Sequence, residues 1–127
     1  RVKLLGRTIE RRRSRHYLGR VFATAVSTIL GLDVYDTQCG AKLFRVTPFI
    51  GALFQQPFYS RWIFDVEIIA RLIQARRGKN LPQADRVIYE FPLMEWRDIP
   101  GSKLGYRDFF RAAWELYRIH NHYFRKI

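Results

Sequence analysis

The stretch Phe64-Asp65-Val66-Glu67-Ile68-Ile69-Ala70-Arg71-Leu72-Ile73-Gln74-Ala75-Arg76-Arg77-Gly78 carries the clearest periodicity in the chain. Phe64, Ile68 and Leu72 recur at i, i+4 and i+8, and Val66, Ile69 and Ile73 widen the apolar face. Residues three and four apart share one side of a helix, so this spacing predicts an amphipathic helix. Its ends agree. Asp65 and Glu67 fall in the first turn and Arg76 and Arg77 in the last, where each charge suits the helix dipole. Gly78 supplies the stop.

On the N-terminal side, Thr47-Pro48 has the form of an N-cap followed by a first-turn proline, which predicts a short helix to about Phe54. Ala41 to Val46 reads as a short strand and Asp33 to Gly40 as a loop. A helix is expected from about His16 to Leu32, with Leu18, Phe22, Ala25 and Ile29 at helical spacing and Gly31 near its end. On the C-terminal side, Arg86 to Phe91 alternates like a strand, and Pro92 restricts it to an edge or an end. Arg97 to Gly105 reads as loop, and a last helix runs from about Tyr106 to Phe124. The order helix, strand, helix, helix, strand, helix predicts an α/β unit.

Composition bounds the function. The 127 residues suit one domain, and 23 Lys and Arg against 11 Asp and Glu give a net charge of +12. Such a balance speaks to anionic partners: nucleic acid, a lipid surface or a phosphorylated substrate. One cysteine excludes an internal disulfide and a Cys-rich zinc site. His16, His120 and His122 show no metal-ligand spacing. The uncharged run from Val21 to Leu32 is too short to cross a bilayer, which takes about 20 residues. The chain begins at Arg1 with no preceding turn or cap, so it reads as a piece of something longer.

Three segments could carry chemistry. Asp36-Thr37-Gln38-Cys39-Gly40-Ala41-Lys42-Leu43-Phe44 gathers an acid, an amide, a thiol and a cation before the expected strand; a loop satisfying its own backbone is the plainer explanation. Arg61-Trp62-Ile63-Phe64-Asp65-Val66-Glu67 places two acids at a helix start beside a tryptophan. These acids either line a sugar site or simply gain about 0.3–1 kcal/mol each from the dipole. Glu90-Phe91-Pro92-Leu93-Met94-Glu95-Trp96 precedes Gly101-Ser102-Lys103, whose backbone N–H groups, hydroxyl and ammonium suit a phosphate. The Gly-x-x-x-x-Gly-Lys spacing of a P-loop is absent.

In this order the segments resemble family 2 glycosyltransferases, in particular the branch that makes dolichyl- or polyprenyl-phosphate sugars. The resemblance covers roughly Leu4 to Arg118, with Gly6-Arg7 similar to the end of a Gly-Ser-Arg motif and Ala41 in place of the usual Phe. It implies a partial GT-A fold, with residues 1–127 as the C-terminal half of the catalytic domain. The nucleotide-binding half and its Asp-x-Asp metal motif are not in this sequence. The intact enzyme would need Mg²⁺ or Mn²⁺, whereas this chain alone is expected to bind no metal and to be inactive.

The same resemblance implies inverting transfer of a sugar from a nucleotide sugar to a polyprenyl phosphate, at the cytoplasmic face of a membrane. A phosphate monoester has its second pKa near 6, so it is already an anionic nucleophile at neutral pH. Cationic guidance then matters more than a strong base. Arg7, Arg15, Arg20 and Lys103 are candidates for phosphate contacts, with Ser102 beside Lys103. Arg7, Asp65 and Glu67 are the expected catalytic set, the two acids lining the sugar pocket. Gln38, Lys42 and Trp62 are expected neighbours of the substrate, and Cys39 a small buried residue. On the last helix, Phe110, Trp114, Tyr117 and Phe124 are interleaved with Arg107, Arg111, Arg118 and Arg125. This pattern fits either an interfacial helix on an anionic leaflet or a helix packed on its own domain. The unpaired sheet edge left by a half-domain further suggests a homodimer.

Two other classes remain open. Basic charge with aromatics also fits a nucleic-acid-binding module, although no helix-turn-helix, RNP motif or zinc spacing is present. An inactive glycosyltransferase relic serving as an interaction surface is the other.

Overall fold

A computed structural model describes residues 8–10, 13–34, 36–92, 95–97 and 105–125. Its elements are strand β1 (Thr8–Glu10), helices α1 (Arg13–Leu30), α2 (Pro48–Leu53) and α3 (Phe64–Arg76), strand β2 (Glu95–Arg97) and helix α4 (Tyr106–Tyr123). A 3-10 turn, Ala84–Arg86, lies between α3 and β2.

Helix α3 is the hub. Val66, Ile69 and Ala70, with Ile63 just before the helix, pack against Phe22, Val26 and Leu30 of α1 and Ala112, Leu116 and Ile119 of α4. These positions follow the i, i+4 stripes of their own helices, which is why three helices can share one core. Each fully buried Ile or Val removes enough apolar surface from water to stabilise the fold by about 1.5–3 kcal/mol. A smaller cluster of Leu53, Leu72 and Ala84 secures α2 and the 3-10 turn.

The helix ends follow local chemistry. The Thr47 hydroxyl accepts the Ile50 N–H at 3.2 Å, and Pro48 opens α2. Gly31 and Gly78 take φ values of +63° and +69°, a left-handed conformation that glycine enters without a Cβ clash, so α1 and α3 end there. At the start of α4, the Asp108 carboxylate accepts the Gly105 N–H at 2.9 Å.

Both expected strands require correction. Ala41 to Val46 forms no strand, and Leu43 and Val46 are 99% and 93% exposed. The local β-propensity is present, but a strand also needs a hydrogen-bonded neighbour. Arg86 to Phe91 forms none either, although its alternation is real: Ile88 packs on the core while Val87 and Tyr89 face out. The strands that do form are three residues each and pair in parallel, with Thr8 opposite Glu95, Ile9 opposite Trp96 and Glu10 opposite Arg97. The described residues are therefore mainly helical, and the α/β order is carried by this pair alone. Helix α1 also starts three residues earlier than its periodicity suggested, at Arg13 rather than His16.

Candidate functional site

The loop before the exposed segment is organised by a lysine. Lys42 Nζ donates to the carbonyls of Thr37, at 3.0 Å, and of Cys39. The Asp36 carboxylate accepts the Gln38 N–H at 3.2 Å, a turn that short acidic side chains make readily. The Asp36 N–H donates to Glu90 at 2.8 Å, so the segment preceding Pro92 is tied to this loop across the chain. Lys42 then reaches Asp65, with Nζ 3.5 Å from Oδ2. Two of the three chemically interesting segments thus meet at an ion pair, and the third touches the same loop.

Asp65 sits at the start of α3 and is buried. Its Oδ1 accepts the Val66 N–H at 2.9 Å. Burial pushes its pKa up, and the nearby Lys42 ammonium only partly offsets that. Trp62, 43% exposed, stands beside it at the helix entrance, and Gln38 is exposed on the loop. An aromatic ladder runs along the site, from Phe44 to Phe54 to Phe58 to Phe64, with ring centroids 5.5, 6.1 and 6.2 Å apart. It holds the segment after Lys42 against α2 and the start of α3.

Glu67 departs from the expected role. It is fully buried, at 0% exposure, and its carboxylate is saturated by internal donors. The N–H groups of Tyr59 and Ser60 donate to it at 3.1 and 2.7 Å, the Tyr123 hydroxyl at 2.9 Å, and Arg71 from Nη2 at 2.8 Å. Arg71 Nε donates to the Tyr123 hydroxyl at 3.0 Å and to Glu67 at 3.2 Å, its other Nη hydrogens go to the carbonyls of Leu53, Gln56 and Pro57, and its guanidinium lies 4.1 Å from the centre of the Phe58 ring. Burial pulls the Arg71 pKa down, but its bonds to Glu67 and Tyr123 raise it further than that. Burial and the bond to Glu67 push the Tyr123 phenol up to about 12. This arrangement braces the 53–60 connection and leaves Glu67 no oxygen turned to a substrate.

Glu115 makes a second brace that the sequence reading missed. From α4 it accepts the Ser60 hydroxyl at 2.6 Å and the N–H groups of Trp62 and Ile63 at 2.8 and 3.2 Å. Helix α3 has no N-cap side chain of its own, so a carboxylate from another helix does that work. Burial raises the Glu115 pKa, but these bonds and Arg111, 3.4 Å away, outweigh it and leave the group below the usual range. The available signal was spacing: Glu115 lies on the same face as Ala112, Leu116 and Ile119. Arg71 likewise follows Glu67 at i+4.

Of the other expected residues, Arg20 is exposed on α1, and among the described residues no contact joins it to Lys42 or Asp65. Arg15 lies in the first turn of α1. Its side chain, together with Arg7, Ser102 and Lys103, lies outside the described residues. Cys39 is half-buried, with its thiol donating to the Ala41 carbonyl at 3.8 Å. Among the described residues, no group of His, Cys, Asp and Glu is placed to hold a metal ion.

No family model and no solved structure matches the chain. Over 112 residues it is 33% identical to a dolichyl-phosphate beta-glucosyltransferase of Trichomonas vaginalis, a match covering 79% of this chain and 31% of that protein. The chain thus spans less than a third of the length of the curated relative it matches. By this similarity the chain is glycosyltransferase-like.

Proposed function

We propose that the chain is part of a family 2 glycosyltransferase of GT-A type that transfers a sugar from a nucleotide sugar to a polyprenyl phosphate, with inversion. The observation that carries this reading is the Lys42–Asp65 pair, which joins the Asp36–Lys42 loop to the start of α3. Those are the segments on which the resemblance rests, and the similarity to a dolichyl-phosphate glucosyltransferase agrees with it.

The roles follow from the chemistry of each group. Asp65 accepts hydrogen bonds from the hydroxyls of the transferred sugar, and Trp62 offers a ring face beside it. Lys42 holds Asp65 in place and presents positive charge toward phosphate oxygens as a point charge. Glu67, Arg71, Tyr123 and Glu115 keep the 53–63 connection rigid, so that Trp62 and Asp65 stay where the substrate needs them. The acceptor phosphate is itself the nucleophile, so no strong general base is required. Mg²⁺ or Mn²⁺ belongs, in this reading, to residues beyond these. Among the described residues no group of His, Cys, Asp and Glu is placed to hold it.

The test is an assay with nucleotide sugars and a short polyprenyl phosphate. The full product of the gene is expected to form the lipid-linked sugar, and the 127 residues alone to form none. Turnover at an ordinary enzymatic rate by the short chain would reject the half-domain reading. A full-length product that transfers no sugar to any lipid phosphate would reject the activity.

A further inference from the structure

Ser60 stands where two buried carboxylates meet. Its N–H donates to Glu67 Oε2 at 2.7 Å, and its hydroxyl donates to Glu115 Oε2 at 2.6 Å while accepting the Ile63 N–H at 2.9 Å. All three residues, Ser60, Glu67 and Glu115, are buried. Two negative charges that share one small residue disfavour each other, so each needs a cation of its own. Glu67 has Arg71 one turn further along α3, and Glu115 has Arg111 one turn earlier on α4.

The two cations are not equivalent. The Arg71 side chain is 8% exposed and is held by backbone carbonyls as well as by Glu67. The Arg111 side chain is 55% exposed, and among the described residues it is the cation paired with Glu115, with Nε 3.4 Å from Oε1. The Glu115 carboxylate thus divides its oxygens. Oε1 faces Arg111 at the surface, while Oε2 gathers the Ser60 hydroxyl and the N–H groups of Trp62 and Ile63. A carboxylate is planar, so holding Oε1 fixes where Oε2 points. One side chain therefore connects the surface of α4 to the backbone of Trp62.

We infer that Arg111, which lies outside the Lys42–Asp65 site, is a positioning residue for the sugar donor: acting through Glu115, it sets how firmly the 60–63 turn holds Trp62. The donor role rests on the sugar-transfer reading, whereas the coupling from Arg111 to Trp62 rests on this geometry alone. Arg107, exposed on the same helix, provides the contrast, because it precedes Glu115 by two helical turns, about 12 Å along the axis.

The experiment compares Arg111→Gln, Arg111→Lys and Arg107→Gln by two readouts. The first is the backbone order parameter from ¹⁵N relaxation of the 127-residue chain. At Trp62 it is expected to fall from about 0.85 toward about 0.6 in Arg111→Gln, with Val26 in the core remaining rigid. A loss of global stability alone would not move this native-state quantity. The second is steady-state kinetics of the full gene product. Arg111→Gln is expected to raise KM for the nucleotide sugar about fivefold with kcat within about twofold, the pattern of lost binding rather than lost chemistry. Arg111→Lys, which keeps the charge, is expected to restore most of both, and Arg107→Gln to match wild type. An unchanged order parameter at Trp62 in Arg111→Gln would overturn the inference. So would an equal loss in Arg107→Gln, which would make the effect one of general charge, or a loosened Trp62 with unchanged KM. A full-length protein that transfers no sugar would overturn the donor role together with the reading it rests on, and the order parameters would still decide the coupling between Arg111 and Trp62.

Discussion

Asp65 and Glu67 stand two residues apart in the first turn of one helix, and they meet opposite surroundings. Glu67 points inward and receives donors from Tyr59, Ser60, Arg71 and Tyr123. Asp65 points toward a loop and faces one cation, Lys42, at 3.5 Å. A step of two residues turns the side chain by roughly 200° around a helix with 3.6 residues per turn, so neighbours in an acidic motif need not share a task. Glu67 organises the scaffold, and Asp65 retains a carboxylate oxygen whose charged partner sits on a loop that substrate could displace.

The largest expected effect lies on the scaffold side. Glu67→Ala strands the Arg71 guanidinium and two backbone N–H groups in the interior, and losing one partner of such a buried pair costs about 3–5 kcal/mol. Urea unfolding should show that loss. A change within about 0.5 kcal/mol would mean that Glu67 is not part of the scaffold.

Next comes Glu115, whose removal should cost about 1–3 kcal/mol by uncapping α3 and the Ser60 hydroxyl. Its pKa is held below the ordinary carboxylate value of 4.5. The stability it contributes is thus full above that value and is lost as pH falls through its lowered folded-state pKa. Glu115→Gln should flatten this part of the acid-unfolding profile, and an unchanged profile would contradict the assignment. Asp65 has the opposite shift, so its carboxylate takes up a proton above 3.8. On acidification the Lys42–Asp65 pair should open as Asp65 takes up that proton.

Lys42→Met sharpens the contrast further. The ion pair is partly exposed, so unfolding free energy should change by less than about 1 kcal/mol. The Asp65 pKa should rise further once the ammonium is gone, which carboxyl carbon chemical shifts would follow. A fall instead would mean that Lys42 is not its principal partner. The smallest effect on stability belongs to the segment after Lys42. Leu43→Lys with Val46→Lys should leave the unfolding midpoint nearly unchanged, because both side chains already face solvent. If this exposed segment pairs with a second copy, light scattering should show a wild-type dimer that the double variant loses.

Legibility in the sequence divided along a similar line. Helices α2 and α3 could be read because their signals are local: Thr47-Pro48 caps one, and Phe64, Ile68 and Leu72 with Gly78 delimit the other. The two misplaced strands failed because pairing depends on a partner that residue spacing does not name. At the site, Asp65 and Lys42 could be suspected from their motifs, but their contact spans 23 residues of chain. Glu115 escaped notice because it forms an i, i+4 pair with Arg111 that resembles an ordinary solvated one. Its burial comes from the packing of α4 on α3, which periodicity hints at only through the neighbouring Ala112, Leu116 and Ile119.

The division of labour between the two acids is tested most directly by one steady-state measurement: kcat/KM for sugar transfer to polyprenyl phosphate by the full gene product carrying Asp65→Asn, assayed well below its unfolding temperature. With the carboxylate replaced by an amide of the same shape, the value should drop by at least about a hundredfold, the scale on which removing a positioned polar group from a reaction centre acts, while the melting temperature stays within a few degrees of wild type. Wild-type turnover by Asp65→Asn would contradict the assignment of Asp65 to the substrate. A loss of turnover that merely tracks a collapse in melting temperature would place Asp65 with Glu67 in the scaffold.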